Sequence, residues 1–555
     1  MISLRRLVVW GAAAACVALS PSYSAAQAAQ RGPVVAAPAG RVEGYTQGAT
    51  RIFKGIPYAK PPVGDLRWKP PGPMPRWPGV KQALEQGPAC IQPRPRPSRA
   101  RNIYAAELPS MSEDCLTLNI WAPGHLRKAP VFVWIHGGAL WAGASSEVIY
   151  DGAQLAARGI VVVTINYRIG VLGYLAHPEL SAESPLGVSG NYGVLDQIEA
   201  LRWIKRNIGA FGGDPSNVTI AGQSAGGLSV MYLLAAPAAR GLFAKAIAES
   251  AYMISTPELK QAKYGWPSSE QGGLALAAAL HAPNIAAMRA MDARALTDGA
   301  SAARFAPFAA VDGQVLPRQL VDTFDRGEQA PVPLIAGFNS GEIRSLTVLA
   351  PPVPAGTAEY ESTIRDRYLD LADDFLRHYP STDMKESIFA TTRDALYGWT
   401  AERLVRKQTA LGQPAFLYFF DHGYPASDDT GLHGFHAAEL PYVFGTMNRT
   451  APAWPKIPAA AQETQLSDAM IGYWSSFART GRPQAANQPD WPAFGSTTAY
   501  MDFTDAPHPA EHLLPGMYEL NEQVVCRRHA SGDQTWGWNV GLAAPKLPSQ
   551  SAQCK

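Results

Sequence analysis

Ser224 is the residue of this chain best placed to act as a nucleophile. It stands in Gly222-Gln-Ser224-Ala-Gly226-Gly227, directly after the β-branched run Val218-Thr-Ile-Ala221 and before an apolar helical run, Leu228 to Ala236. A strand that turns sharply into a helix crowds the residues beside the turn, so glycines flank the serine. The hydroxyl then projects above the sheet, and the helix N-terminus offers free N–H groups and a positive dipole. The pentapeptide alone is a weak signal, because a Gly-rich turn with a capping serine reads the same; the strand before it and the helix after it raise its weight. A serine hydroxyl is a poor nucleophile at neutral pH. It needs a base, a carboxylate to orient the base, and N–H donors for the oxyanion of an acyl-transfer reaction. Upstream, the run Val131 to Ile135 leads into His136-Gly137-Gly138-Ala139, a loop whose small residues permit close backbone approach.

The longer segment Phe211-Gly-Gly-Asp-Pro-Ser-Asn-Val-Thr-Ile-Ala-Gly-Gln-Ser224-Ala-Gly resembles the serine signature of the type-B carboxylesterases, the carboxylesterase/cholinesterase branch of the α/β-hydrolases. Glu113-Asp-Cys115-Leu-Thr-Leu-Asn-Ile-Trp-Ala-Pro123 resembles that family's second signature. Phe53-Lys-Gly-Ile-Pro-Tyr-Ala, Gly190-Asn-Tyr-Gly-Val-Leu-Asp-Gln197 and Trp474-Ser-Ser-Phe-Ala-Arg-Thr-Gly481 continue the likeness in the family's order. The resemblance implies an α/β-hydrolase fold: a large, mostly parallel mixed sheet flanked by helices, with long helical insertions over the active site. It also implies hydrolysis of carboxylic esters through an acyl-enzyme. No P-loop or dinucleotide fingerprint is visible, so no organic cofactor is expected.

The same resemblance names the remaining members of the catalytic set. Of 11 histidines, His436 lies in His436-Ala-Ala-Glu439, which resembles the family's H-x-x-E segment around its catalytic histidine; His433 is the rival, with the wrong spacing to Glu439. The acid should fall between serine and histidine in chain order. Leu334-Ile-Ala-Gly-Phe-Asn-Ser-Gly-Glu342 resembles the segment N-x-D-E-G that supplies a glutamate, although Gly341 replaces the usual Asp and Ile343 the usual Gly. Glu342 is the aligned acid and Asp312 the alternative. The implied oxyanion donors are the N–H groups of Gly138, Ala139 and Ala225, with Ala139 standing where many relatives carry Gly. One decoy is His508-Pro-Ala-Glu-His512, an H-x-x-E-H pattern of inverted zinc proteases. That chemistry needs a helix, and the flanking prolines predict a loop, so no metal is expected.

These residues must be carried by strands and helices that the pattern also shows. Val131 to Ile135, Ile160 to Ile165 and Val218 to Ala221 read as buried strands. Asn191 to Ile208 has helical spacing, with Leu195, Ile198, Leu201 and Ile204 on one side. Strand–helix–strand order predicts a parallel sheet covered on both faces. Ala-rich helical segments are expected at about 257–300 and 357–410, strands at 331–336 and 415–420, and Pro/Gly-rich loops at 57–79 and 92–97. The chain has 555 residues, 47% of them hydrophobic, which is ample for a large core. One domain over 29–555 is predicted. Forty-eight basic against 46 acidic residues leave a net charge of +2, so no global field is available to hold nucleic acid by phosphate neutralisation.

The first residues carry Arg5 and Arg6, an apolar run from Leu7 to Leu19 and an Ala26-Gln27-Ala28 site. This is the pattern of a cleaved secretory signal over 1–28, too short for a bilayer span, and it predicts a periplasmic or secreted protein. Cys16 as a lipid site lacks the usual leucine before it. The four remaining cysteines, Cys90, Cys115, Cys526 and Cys554, predict two disulfides in three possible pairings, of which the local one closes the shortest loops. By resemblance, segment 90–115 sits beside the active-site mouth. It has no tryptophan and carries Arg94, Arg96, Arg99 and Arg101 against Glu107, Glu113 and Asp114. Gln223 also replaces the glutamate that many relatives place before the serine. Both features weaken attraction for cationic esters and favour anionic or bulky ones; arginines that merely solvate a Pro-rich loop are an equal reading. A small-molecule ester is the expected partner, with oligomeric state open. The second function class is a non-catalytic, neuroligin-like binding module on the same fold, which typically loses the nucleophile that this chain keeps.

Overall fold

The computed structural model describes residues 30–93, 102–108, 110–124 and 126–554; the signal expected at 1–28, with Cys16, and the arginines Arg94, Arg96, Arg99 and Arg101 lie outside the described residues. The strands of the main sheet are β1 (Gln30–Ala37), β2 (Gly40–Gln47), β3 (Thr50–Pro57), β4 (Thr117–Pro123), β5 (Ala129–Ile135) and β6 (Val161–Ile165). They continue with β7 (Gly213–Gln223), β8 (Lys245–Glu249), β9 (Leu334–Asn339), β10 (Ala415–Phe420), β11 (Ala499–Phe503) and β12 (Pro507–Glu511). Their spatial order is β1-β2-β3-β4-β6-β5-β7-β8-β9-β10-β11-β12, and the short strand Val80–Gln82 pairs with β2 off this path. The run from β6 through β11 is parallel, and the flanking pairs are antiparallel.

The central strands are apolar without alternation because the sheet is covered on both faces. In β5, Val131, Val133 and Ile135 enter one core while Phe132 and Trp134 enter the other. The period-two pleat sends neighbours to opposite faces, and here neither face is wet. Helices α1 (Tyr192–Asn207) and α2 (Ala225–Ala235) cover the first face with Ile198, Leu201 and Leu228. Helix α3 (Ala461–Thr480) covers the second with Met470, Trp474 and Phe477. Helix α4 (Met517–Ser531) packs at the C-terminal end of the chain.

The sequence expectations meet this architecture closely. Short helices Ser269–Ala279, Ile285–Ala290 and Ala293–Ala302 fill the first Ala-rich insertion, and four helices between Thr357 and Ala410 fill the second. One expectation fails: His508-Pro-Ala-Glu-His512 is not a loop. Residues 508–511 belong to edge strand β12, where an antiparallel edge tolerates prolines.

Two family-like motifs turn out to be structural. Asp196 of α1 receives a bidentate pair from Arg168, at 2.7 Å to each carboxylate oxygen, and both groups are buried. Removing either partner would strand a buried charge, at a cost of about 3–5 kcal/mol. Glu113 pairs with Arg67 in the same bidentate way, at 2.7 and 2.6 Å. The disulfides are the local pairs, Cys90–Cys115 and Cys526–Cys554. No helix among the described residues is long and apolar enough to cross a membrane.

Candidate active site

Strand β7 ends at Gln223 and α2 begins at Ala225, so Ser224 alone makes the turn. Its backbone sits at φ 59°, ψ −123°, a region that costs an L-residue about 1–3 kcal/mol. Two contacts hold it there: its N–H donates to Glu249 O at 2.9 Å, and its carbonyl accepts from Leu228 N at 2.9 Å. The flanking glycines are required by space. A Cβ on Gly226 would lie 2.1 Å from the Ile135 carbonyl oxygen, and one on Gly222 would lie 2.5 Å from the backbone of Gly226.

His436 and Glu342 come to this turn from loops after β10 and β9. His436 Nδ1 donates to Glu342 Oε2, and both residues are buried. Glu342 Oε1 accepts from the Asn339 N–H at 2.9 Å, so both carboxylate oxygens are engaged. Gly341, the departure from the family pattern, has a packing reason. A Cβ there would meet Leu432 O at 2.6 Å, and the Gly341 N–H donates to Gly434 O at 2.8 Å. The bare glycine lets the histidine loop pair directly with the glutamate loop.

The other ring nitrogen, His436 Nε2, lies 3.2 Å from Gln223 Nε2. An amide N–H can only donate, so Nε2 presents its lone pair and Nδ1 carries the hydrogen given to Glu342. That is the tautomer a general base requires.

A second layer of carboxyls lies behind the pair. Glu439 Oε2 accepts from Asn339 Nδ2, whose amide also donates to Phe435 O at 2.8 Å. Burial, reinforced by the charge of Glu342, pushes the Glu439 carboxyl up to about 7. Burial and the neighbouring Glu439 push Glu249 well above the usual carboxylate range, while Trp474 Nε1 donates to it at 2.7 Å.

The loop His136-Gly137-Gly138-Ala139 runs beside the serine: a Cβ on Gly137 would lie 3.2 Å from Ser224 Cβ. Gly138 and Ala139 have φ of +102° and +56°, and their N–H groups donate to no acceptor among the described residues. Ala225 opens α2, where an N–H has no intrahelical acceptor. Two of the three expected donors thus lie on the loop beside Ser224, and the third follows Ser224 in the chain. His136 is buried, and its ring is stacked on Tyr167 with centroids 4.6 Å apart. Burial holds its imidazole down at about 4, so it is neutral at ordinary pH.

A cavity of about 980 Å³ opens over Ser224 and His436. Its walls are largely aromatic and apolar, including Tyr104, Tyr252, Tyr397, Trp454, Trp538 and Leu346. No lysine or arginine lines it among the described residues, and Glu147 brings a carboxyl to it. Glu147 Oε1 accepts from Ala144 N at 3.0 Å, and burial pushes this carboxyl up to about 7.

The rival residues are elsewhere occupied. His433 is exposed and paired with Asp428 at 2.8 Å. Asp312 caps a turn through Gln314, Val315 and Leu316 and accepts from Asn191 at 2.9 Å. His512 lies past the end of β12 against Thr498. Several residues of the site, among them the aromatic cavity walls, have no signal in the sequence that marks them. Asn339 sat inside a quoted motif and was not singled out, whereas Tyr104 and Glu147 carried no local pattern.

The carboxylesterase family model matches residues 31–519. The chain is 35% identical over 488 residues to the fumonisin B1 esterase of Sphingopyxis macrogoltabida, covering 84% of this chain and 85% of that protein. It is 36% identical over 472 residues to the para-nitrobenzyl esterase of Bacillus subtilis (strain 168), covering 83% and 92%. A solved PNB esterase structure superposes with a TM-score of 0.75 at 33% identity, covering 88% of this chain and 99% of that one. With this match across nearly its whole length, the chain belongs to the carboxylesterase family and is a carboxylic ester hydrolase of α/β-hydrolase fold.

Proposed function

We propose that the protein is an exported serine esterase working through an acyl-enzyme, with Ser224 as nucleophile, His436 as base and Glu342 as the orienting acid. The observation that carries this reading is the hydrogen bond from His436 Nδ1 to a buried Glu342 beside the strained Ser224 turn. His436 Nε2 takes the serine proton as Oγ attacks the ester carbonyl carbon. Negative charge develops on the former carbonyl oxygen and is met by the N–H groups of Gly138, Ala139 and Ala225. The imidazolium returns its proton to the departing alcohol, leaving acyl-Ser224. Water then repeats the sequence, releasing the acid and restoring the hydroxyl.

The width and aromatic lining of the cavity support bulky esters as substrates. A preference for anionic esters rests on Arg94, Arg96, Arg99 and Arg101, which lie outside the described residues, and Glu147 in the cavity wall opposes it. The two disulfides and the signal pattern support a periplasmic or secreted location, and one continuous sheet with strands from Gln30 to Glu511 supports a single domain over 29–555. Retention of Ser224 in a family of named esterases leaves the binding-module reading without an observation in its favour. Ser224→Ala should abolish turnover of p-nitrophenyl acetate and labelling by a fluorophosphonate probe, leaving the folded spectrum intact. Full activity in that variant would refute the serine mechanism.

A further inference from the structure

The loop that carries His436 is held in an uncommon backbone shape. Ala437, the next residue, has φ +69°, a left-handed conformation that a residue with a Cβ adopts at a cost. Such a turn persists only where its surroundings fix it. The peptide before His436 is fixed from below, where Asn339 Nδ2 donates to Phe435 O at 2.8 Å. The peptide after it is reached from above by Tyr104, which belongs to the Cys90–Cys115 loop. Tyr104 Oη lies 2.9 Å from the His436 carbonyl oxygen and 2.6 Å from Ser345 Oγ.

The proton directions follow from the partners. A carbonyl oxygen only accepts, so the phenol O–H donates to His436 O and the Ser345 hydroxyl donates to the phenol oxygen. The ring is fixed as well: it meets Trp454 edge-on at 5.9 Å and His436 edge-on at 6.3 Å. Its own turn is stiffened where Asn102 Oδ1 accepts from the Tyr104 N–H at 3.0 Å. A rigid donor therefore grips the one histidine carbonyl next to the strained residue.

We infer that Tyr104 is a positioning residue for the catalytic base, its hydroxyl holding the His436 peptide so that Nε2 faces Ser224. The inference rests on His436 being that base. Tyr104 touches no reacting atom in this role. Its contribution belongs to the step in which the base takes the proton, where a small displacement is felt in rate rather than in binding.

Tyr104→Phe keeps the ring and removes only the hydroxyl. With p-nitrophenyl acetate it should lower kcat about 3- to 10-fold, the range given by losing one hydrogen bond of ordinary net strength, with KM unchanged within about twofold. The fall should be the same for a bulkier butyrate or benzoate ester. Fluorophosphonate labelling of Ser224 should slow in parallel, because capture uses the same base. Ser345→Ala should have a smaller effect, since it leaves the bond to the carbonyl in place. An unchanged kcat, a loss confined to KM, or a loss that grows with ester size would overturn the inference; the last two would make Tyr104 a wall contact. His436→Ala assayed beside them separates the two readings. If it stays active, the assignment of the base fails; if it is dead while Tyr104→Phe turns over normally, only the positioning role fails.

Discussion

Replacing Ser224 by glycine should make the protein more stable while abolishing activity, and by more than replacement by alanine. Both changes remove Oγ. Alanine keeps a Cβ at φ 59°, ψ −123°, so it keeps the strain, about 1–3 kcal/mol for a residue in a sparsely populated region. Glycine has no Cβ and releases that strain, but it gains freedom in the unfolded chain worth roughly 0.5–1 kcal/mol. The difference between Ser224→Gly and Ser224→Ala should therefore be about 0.5–2 kcal/mol in favour of glycine. For a chain of 555 residues, unfolding entropy near 2.1 cal/mol/K per residue converts each 1 kcal/mol into only about 1 °C of Tm. The comparison thus calls for urea or guanidinium unfolding of both inactive variants, read by tryptophan fluorescence, with scanning calorimetry as a check. A glycine variant no more stable than the alanine variant would show that the turn stores no strain, and the argument from φ and ψ would be wrong.

Gly226→Ala should fail to give a native elbow, because its methyl would meet the Ile135 carbonyl oxygen at 2.1 Å; soluble expression with wild-type activity would contradict the crowding argument. Glu439→Gln should gain stability relative to wild type as pH rises from about 5 to 8. Burial and Glu342 raise the native Glu439 carboxyl to about 7, so the folded protein holds a proton that the unfolded chain releases at lower pH, and wild-type stability falls across that window. Parallel Tm-against-pH curves for the two proteins would rule this out. In the cavity, Glu147 is pushed up to about 7 by burial, neutral below that pH and anionic above it. The ratio of kcat/KM for a dicarboxylic monoester to that for a neutral ester of equal size should fall as pH rises through 7, and Glu147→Gln should flatten it. Taking the ratio cancels the titration of the base.

The central sheet was legible because its strands are buried on both faces and write themselves as unbroken β-branched runs, as in Val161-Val-Val-Thr-Ile165. The edges were not. Strand β2 alternates buried and open positions over a Gly- and Thr-containing stretch, and β12 contains two prolines that only an edge position tolerates. In the proposed site, Ser224 is readable from the strand–glycine–helix pattern of its own turn, whereas His436 and Glu342 are readable only through the resemblance of their segments to a family's. Gly341 looked like damage to the glutamate loop; it is a close approach to Leu432 that only the folded chain reveals. Tyr104 was invisible for another reason. Its contact spans 332 residues of sequence, and a single tyrosine in a Pro-rich loop announces nothing about a carbonyl at that distance.

The two disulfides share a placement that bears on how this enzyme can evolve. Cys90–Cys115 encloses Asn102 and Tyr104, and Cys526–Cys554 encloses Trp538, all residues of the cavity wall. Each bond closes its segment near the root, with sequence separations of 25 and 28, a constraint worth about 3–4 kcal/mol in chain-entropy terms. Wall segments anchored in this way keep their ends joined when a side chain within them is exchanged. Within these segments Asn102 accepts from the Tyr104 N–H at 3.0 Å, and Trp538 packs on Tyr252 with ring centroids 5.2 Å apart, so side-chain contacts add to the covalent closure. A library meant to shift the ester range is best started at Trp538, a cavity-wall residue inside a covalently closed segment and outside the hydrogen bonds that hold the His436 loop.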